Sequence, residues 1–170
     1  MNKKTVVIIN GNGGVGKDTL CEFAETAYKT RNISAITPIK KIASENGWNG
    51  EKDAKSRKFL ADLKQIFVEY NDLPFKYLMD EYREFLKSDE QILFVHIREA
   101  AEIDKFKQGV KEIPCISLLI RRHNMEKKNW GNEADDKVEE YCYDFSYDND
   151  KMLEEAQKDF PEFLKQILSY

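Results

Sequence analysis

The chain has 170 residues and a formal net charge of −4, from 27 Lys and Arg against 31 Asp and Glu. The length suits a single domain over residues 1–170 with one proper core. The two signs of charge are interleaved, which argues against a basic face of the kind nucleic acid requires.

In chain order, TVVIIN (5–10) is β-branched and apolar, the mark of a strand buried on both faces. Leu20, Phe23, Ala24 and Ala27 then recur at helical spacing, and ISAIT (33–37) predicts a short second strand. Phe59, Leu60, Leu63, Ile66, Phe67 and Tyr70 predict one apolar stripe on a long helix. NDLP (71–74) breaks it, and Phe75, Leu78, Tyr82, Phe85 and Leu86 form a second stripe. QILFVHI (91–97) predicts a core strand, a helix follows over about 99–108, and IPCISLLI (113–120) predicts another core strand. Residues 121–140 are highly charged, contain Gly131 and have almost no apolar positions, whereas YCYDFSYDND (141–150) reads as an aromatic strand with a polar end. Met152, Leu153, Ala156, Phe160, Phe163, Leu164 and Ile167 predict a last amphipathic helix, with a kink or break near 159–161 at Pro161.

Strands alternating with helices predict an α/β fold, a parallel sheet covered on both faces. Two segments exceed what the sheet needs, a helical insert at about 38–88 and a polar insert at about 121–140. Both follow a strand directly, at the end where open parallel sheets bind ligands. Cys21, Cys115 and Cys142 are far apart and form no CxxC pair, so they read as reduced packing residues of a cytoplasmic protein. No apolar run reaches the ~18 residues of a membrane span, and that of MNKKTVVIIN is too short for a signal peptide. Monomer and homodimer both stay open.

The most informative stretch is VVIINGNGGVGKDTLCEF (6–23). Gly11, Gly13, Gly14 and Gly16 permit the backbone to curl with its N–H groups inward, as an anion requires. The following helix adds its positive N-terminal dipole, and Lys17 places a point charge against the outer phosphates. Residues 11–17 fit the phosphate-binding P-loop, but Asp18 stands where Ser or Thr is usual and Thr19 follows. In the variant form G-K-x-T, Thr19 is the phosphate-side hydroxyl, and Asp18 can turn away and sit in the first helical turn.

From these residues the chain resembles the nucleoside monophosphate kinase superfamily, and within it the phage-type deoxynucleoside monophosphate kinases. GNGGVGKDT (11–19) matches the ATP loop. TPIKKIASENGWNGEKDAKSRKFL (37–60) is similar to the segment that begins the acceptor-binding region, and LFVHIREAAEIDKF (93–106) to the element after the third strand. LLIRR (118–122) and the polar stretch after it look like the lid, and YDFSYDND (143–150) like the last strand and the loop near the nucleotide base. The resemblance implies a three-layer P-loop NTPase fold with five parallel strands in the order 2-3-1-4-5. It implies ATP and Mg²⁺, with Gly11, Asn12, Gly13, Gly14, Val15, Gly16, Lys17, Asp18, Thr19 and Asn149 at the ATP, and Thr19 at the metal. One departure is His96, where the family often has an acid that organises water around Mg²⁺.

Phosphoryl transfer asks mainly for positioning and charge neutralisation. A phosphate acceptor is already ionised near neutral pH and predicts converging arginines; a sugar hydroxyl predicts a carboxylate base. Arginine's planar fork suits phosphate. Arg98 and Arg57 are therefore expected at the acceptor phosphate with Lys40 as helper, and Arg121 and Arg122 at the transferring group as part of a lid. Lys17, Arg98, Arg121 and Arg122 form the expected catalytic set. Trp48 and Trp130 suit either stacking in the site or local packing, and His123 reads as a surface residue. The expected partners are small-molecule nucleotides. The leading expectation is a kinase for a (deoxy)nucleoside 5′-monophosphate; the alternatives are another acceptor, such as phosphomevalonate or dephospho-coenzyme A, and a P-loop NTPase acting as a nucleotide switch.

Overall fold

The computed structural model describes residues 3–125 and 137–170. Most of the expected lid, with Trp130 and Gly131, therefore lies outside the described residues. Five strands, β1 (Thr5–Asn10), β2 (Thr30–Ser34), β3 (Ile92–His96), β4 (Cys115–Arg121) and β5 (Phe145–Asp148), form one sheet in the order β2-β3-β1-β4-β5. Every pairing is parallel. The expected strand order is the observed one.

Strand β1 is central and all six of its residues are buried, the apolar run Val6–Ile9 together with Thr5 and Asn10. Its alternating side chains feed two cores, because neighbours on a strand point to opposite faces. Val7 and Ile9 meet α1 (Lys17–Ala24) and α6 (Leu153–Ile167) on one side. Val6 and Ile8 meet α4 (Leu73–Lys87) and α5 (Ala100–Gly109) on the other. A third, smaller cluster joins Ile39 and Ala43 of α2 (Thr37–Glu45) to Leu60 of α3 (Ala54–Asn71). Helices α2, α3 and α4 make up the insert between β2 and β3.

Local signals set the insert's corners. Pro38 stands in the first turn of α2, where its fixed φ and missing N–H cost nothing. Asp53 caps α3 by accepting from the Ser56 N–H at 2.7 Å. Asp72 takes a left-handed turn at φ 56 between α3 and α4, and Asn71 Oδ1 accepts from the Leu73 N–H at 3.1 Å.

Four expectations are corrected. The second strand lies at Thr30–Ser34, not 33–37. It is an edge strand, so Thr30, Arg31 and Asn32 need no burial; Arg31 pairs with Glu90 at 2.7 Å and Glu81 at 3.2 Å. The stripe on α3 does not pack as one: Phe59, Ile66 and Tyr70 are 43%, 59% and 81% exposed, while Lys64 is buried. The last strand is only Phe145–Asp148, because a 3-10 turn at Val138–Glu140 precedes it and Tyr143 folds back to donate to the Val138 carbonyl at 2.7 Å. Helix α6 runs through Pro161 without a break, and Met152 and Leu153 are exposed at its start rather than in the core.

Candidate phosphate-transfer site

The loop from Gly11 to Gly16 joins β1 to α1 at the C-terminal edge of the sheet. Two glycines are required there by contact and conformation. A Cβ on Gly11 would fall 2.6 Å from the Ile120 carbonyl oxygen. Gly16 has φ +93, and a Cβ there would meet Asn149 Nδ2 at 2.7 Å. That amide donates to the Val15 carbonyl at 2.8 Å, so Asn149 braces the loop from the end of β5. Asn10 braces the other side. Its Oδ1 accepts from the Gly11 N–H at 2.9 Å, and its Nδ2 donates to Tyr143 Oη at 2.9 Å and to the Arg98 carbonyl at 3.2 Å. One buried amide thus fixes the loop, the Arg98 backbone and the turn before β5 together.

Beside the loop lies a cavity of about 640 Å³. Its walls bring together Gly13, Gly14, Gly16, Lys17, Asp18 and Thr19 from the loop and α1 with Lys40, Arg57 and Arg98. These cationic residues come from four elements far apart in sequence. Lys17 Nζ donates to the carbonyls of Gly11 at 2.5 Å and Asn12 at 3.3 Å. The Arg57 guanidinium lies against Gly13: a Cβ there would stand 3.3 Å from Nη2.

The cations depress one another. Burial and then Arg98 push Lys17 down to about 8, against the pull of Asp18 and Cys21. Burial lowers Lys40, with Arg98 and Lys52 adding to it. Burial and then Arg57 lower Arg98, and burial lowers Arg57. A site where several cations, half-buried or exposed, are lowered by desolvation and by one another favours an anion.

Asp18 does not turn away from the site. It lines the cavity, and its charge acts on Lys17, Lys40, Cys21 and His96. Asp18 is the second residue of α1, beside Lys17. His96 ends β3 in the cavity wall, with Nε2 3.9 Å from Cys21 Sγ. Burial pushes it to about 4, so it is neutral at neutral pH and offers no negative charge. Burial also pushes the Cys21 thiol up.

Arg121 and Arg122 do not line the cavity. Arg121 ends β4, where its carbonyl accepts the Asn149 N–H at 2.7 Å, and Arg122 is exposed. His123 is exposed and pairs with Asp150 at 2.6 Å, which raises it. Trp48 packs on the third cluster and also lines the cavity.

Several lining residues escaped the sequence reading: Asn10, Lys52, Lys64 and Glu99 among them. Lys64 left a signal. It lies four residues after Leu60 and three before Phe67, on the buried side of α3, where a lysine is out of place unless it has a task.

The donor set fits Mg·ATP. The Asp18 carboxylate and Thr19 hydroxyl are hard oxygen donors of the kind Mg²⁺ takes, and they line the cavity beside Lys17 and the glycine loop.

No protein-family model and no curated protein matches the chain. Solved structures do. The tunicamycin resistance protein of Deinococcus radiodurans is 13% identical, with a TM-score of 0.55 over 97% of this chain and 96% of that one. A gluconokinase from Sinorhizobium meliloti is 13% identical, with a TM-score of 0.51 over 98% and 93%. The shikimate kinase of Aquifex aeolicus is 11% identical, with a TM-score of 0.51 over 96% and 98%. With the loop and the strand order, these likenesses establish the three-layer α/β P-loop NTPase fold.

Proposed function

We propose that the chain is a phosphotransferase, moving the terminal phosphoryl group of Mg·ATP to a nucleoside 5′-monophosphate. The observation that carries this reading is the meeting of Lys17, Lys40, Arg57 and Arg98 in one cavity. A phosphate acceptor brings an ionised oxygen and needs no base; it needs positive charge on both sides of the moving group. The acceptor oxygen forms the new bond to phosphorus while the bond to the ADP oxygen breaks, and ADP leaves with the electron pair.

The loop N–H groups and Lys17 hold the ATP phosphates, and Thr19 and Asp18 hold the metal side. Mg²⁺ held there would neutralise charge on the phosphate oxygens. Arg57, against the loop, and Arg98, beside Lys17, hold the acceptor phosphate in line, with Lys40 outside them. Holding both phosphates in one orientation supplies much of the rate, since positioned reactants avoid the entropy of encounter.

A second reading has one observation in its favour. Asp18 lines the cavity, so a carboxylate base for a hydroxyl acceptor is present, and two similar structures are named for the kinases of gluconate and shikimate. ADP release from Mg·ATP across ribo- and deoxynucleoside monophosphates separates the two, with gluconate, shikimate, phosphomevalonate and dephospho-coenzyme A alongside. Stimulation by monophosphates alone is expected. Stimulation only by a hydroxyl acceptor would transfer the assignment to the second reading. A flat panel with ATP still bound would leave a nucleotide switch.

A further inference from the structure

The cavity has an end remote from the loop. Arg57, Leu60, Ala61 and Lys64 of α3 all line it, and their spacing puts them on one helix face. Seven residues carry that face about 10 Å from Arg57, which touches the loop, to Lys64. The Lys64 side chain is only 8% exposed and bonds to Glu99 and Glu102, each at 2.6 Å. Glu99 also lines the cavity and is 34% exposed. Through Lys64 the two carboxyl groups are brought together, and each shifts the ionisation of the other.

Burial opposes ionisation of Glu99, but Lys64 and the hydrogen bonds hold it below the usual range, as a carboxylate. Burial and the bond to Glu99 raise Glu102 to about 7, so it shares a proton with its neighbour. Two of the three Lys64 donors are used, and one remains. An ammonium and a carboxylate thus stand side by side, with apolar Leu60 and Ala61 between them and the phosphate end. Packing alone would be served as well by apolar residues of the same volume. In the same wall the Trp48 indole nitrogen is buried and has no hydrogen-bond partner among the described residues.

We propose that Lys64 and Glu99 form a nucleobase subsite selective for guanine; this rests on the monophosphate reading above. A phosphate at Arg57 and Arg98 lays a sugar along Leu60 and Ala61 and a base edge at Lys64 and Glu99. Guanine presents a keto oxygen beside two adjacent donors, N1–H and the 2-amino group. The Glu99 carboxylate accepts from both donors, and the remaining Lys64 donor meets the keto oxygen. Adenine and cytosine set a ring-nitrogen lone pair against the carboxylate. Thymine offers a single N–H flanked by two keto oxygens, one of which would oppose it.

The test is calorimetric binding of dGMP, dAMP, dCMP and dTMP to the full chain and to Glu99→Gln, with ATP binding and thermal melting of both as controls. Wild type is expected to favour dGMP by about tenfold or more, the scale of a bidentate base contact, and Glu99→Gln to lose most of that preference while ATP binding is unchanged. Preference for another base, or an unchanged dGMP preference in Glu99→Gln, overturns the guanine subsite and leaves the monophosphate reading standing. Failure of every monophosphate to bind the wild type overturns both.

Discussion

Lys17 is expected to cost the ligand-free protein stability, and Lys17→Met tests this. Its depression from 10.5 to about 8 corresponds, at about 1.4 kcal/mol per pH unit, to on the order of 3 kcal/mol against keeping the ammonium charged. The side chain recovers part of this by donating to the Gly11 and Asn12 carbonyls, at about 1 kcal/mol for each bond. Methionine fills much the same volume with neither effect. The net gain for Lys17→Met at pH 7 is therefore about 1–2 kcal/mol, or roughly 2–8 °C in Tm for a chain this long. The sign reverses with pH. A lysine depressed on folding is released from its penalty as pH rises from about 8 toward 10.5, because the unfolded chain then binds more protons than the folded one. Wild type should gain stability over that interval, and Lys17→Met should lack that gain. Calorimetry of both proteins without nucleotide at pH 7 and pH 9.5 reads the difference, and transfer activity should be lost at both. A Tm for Lys17→Met at or below wild type at pH 7, with the same pH slope, would refute the electrostatic reasoning.

Asp18→Asn removes a charge that holds Lys17 up, so the alkaline fall in ATP affinity should begin at lower pH than in wild type; coincident binding-versus-pH curves would rule this out. Gly16→Ala places a side chain at φ +93 and against Asn149, at about 1–2 kcal/mol for the left-handed backbone alone; melting should drop by several degrees and ATP binding with it, and an unchanged melt would show that the loop tolerates another path. Arg98→Ala should raise the KM for the acceptor by about tenfold or more, the scale of a charge-assisted hydrogen bond, with ATP binding little changed; equal losses in both would remove Arg98 from the acceptor side. Glu102 has a raised folded pKa, so its contribution is full below about 4.5 and is lost as pH rises through about 7. Glu102→Gln keeps a donor for Glu99 without titrating, and its Tm should vary less than wild type's between pH 5 and 8; parallel Tm curves would contradict the shared proton.

What was legible in the sequence was local. The glycine loop is one strand, one turn and one helix start, and its residues announce that geometry within a dozen positions. Strands β1, β3 and β4 were legible because they are buried on both faces and so are mostly apolar, with few polar residues such as Asn10 and Ser117 among them. The edge strand β2 was misplaced because an edge tolerates Thr30, Arg31 and Asn32, which look like loop until Glu81 and Glu90 are seen beside them. The α3 stripe failed for a related reason. Periodicity reports which residues share a face, not what covers it, and Phe59, Ile66 and Tyr70 have little cover. Arg121 and Arg122 were placed by their position just past a strand, and the direction a side chain takes from there is set by the strand's pleat and its neighbours.

Asp18 shows how the local and the distant combine. Read within its motif it is an exception, an acid beside the lysine that must hold phosphate. Read within the cavity it is an anion whose charge supports Lys17 and Lys40, with Arg57 and Arg98 in the same walls. Burial and Arg98 push Lys17 toward neutrality, and Asp18 is the largest influence in the other direction. With a neutral hydroxyl at that position, Lys17 would titrate closer to neutral pH and the loop would lose its charge where it needs it. The acid and the converging arginines therefore belong together. A loop with fewer cations around it has less need of such a residue, and the unusual position in the motif follows from cations that α2, α3 and the end of β3 bring in from elsewhere in the chain.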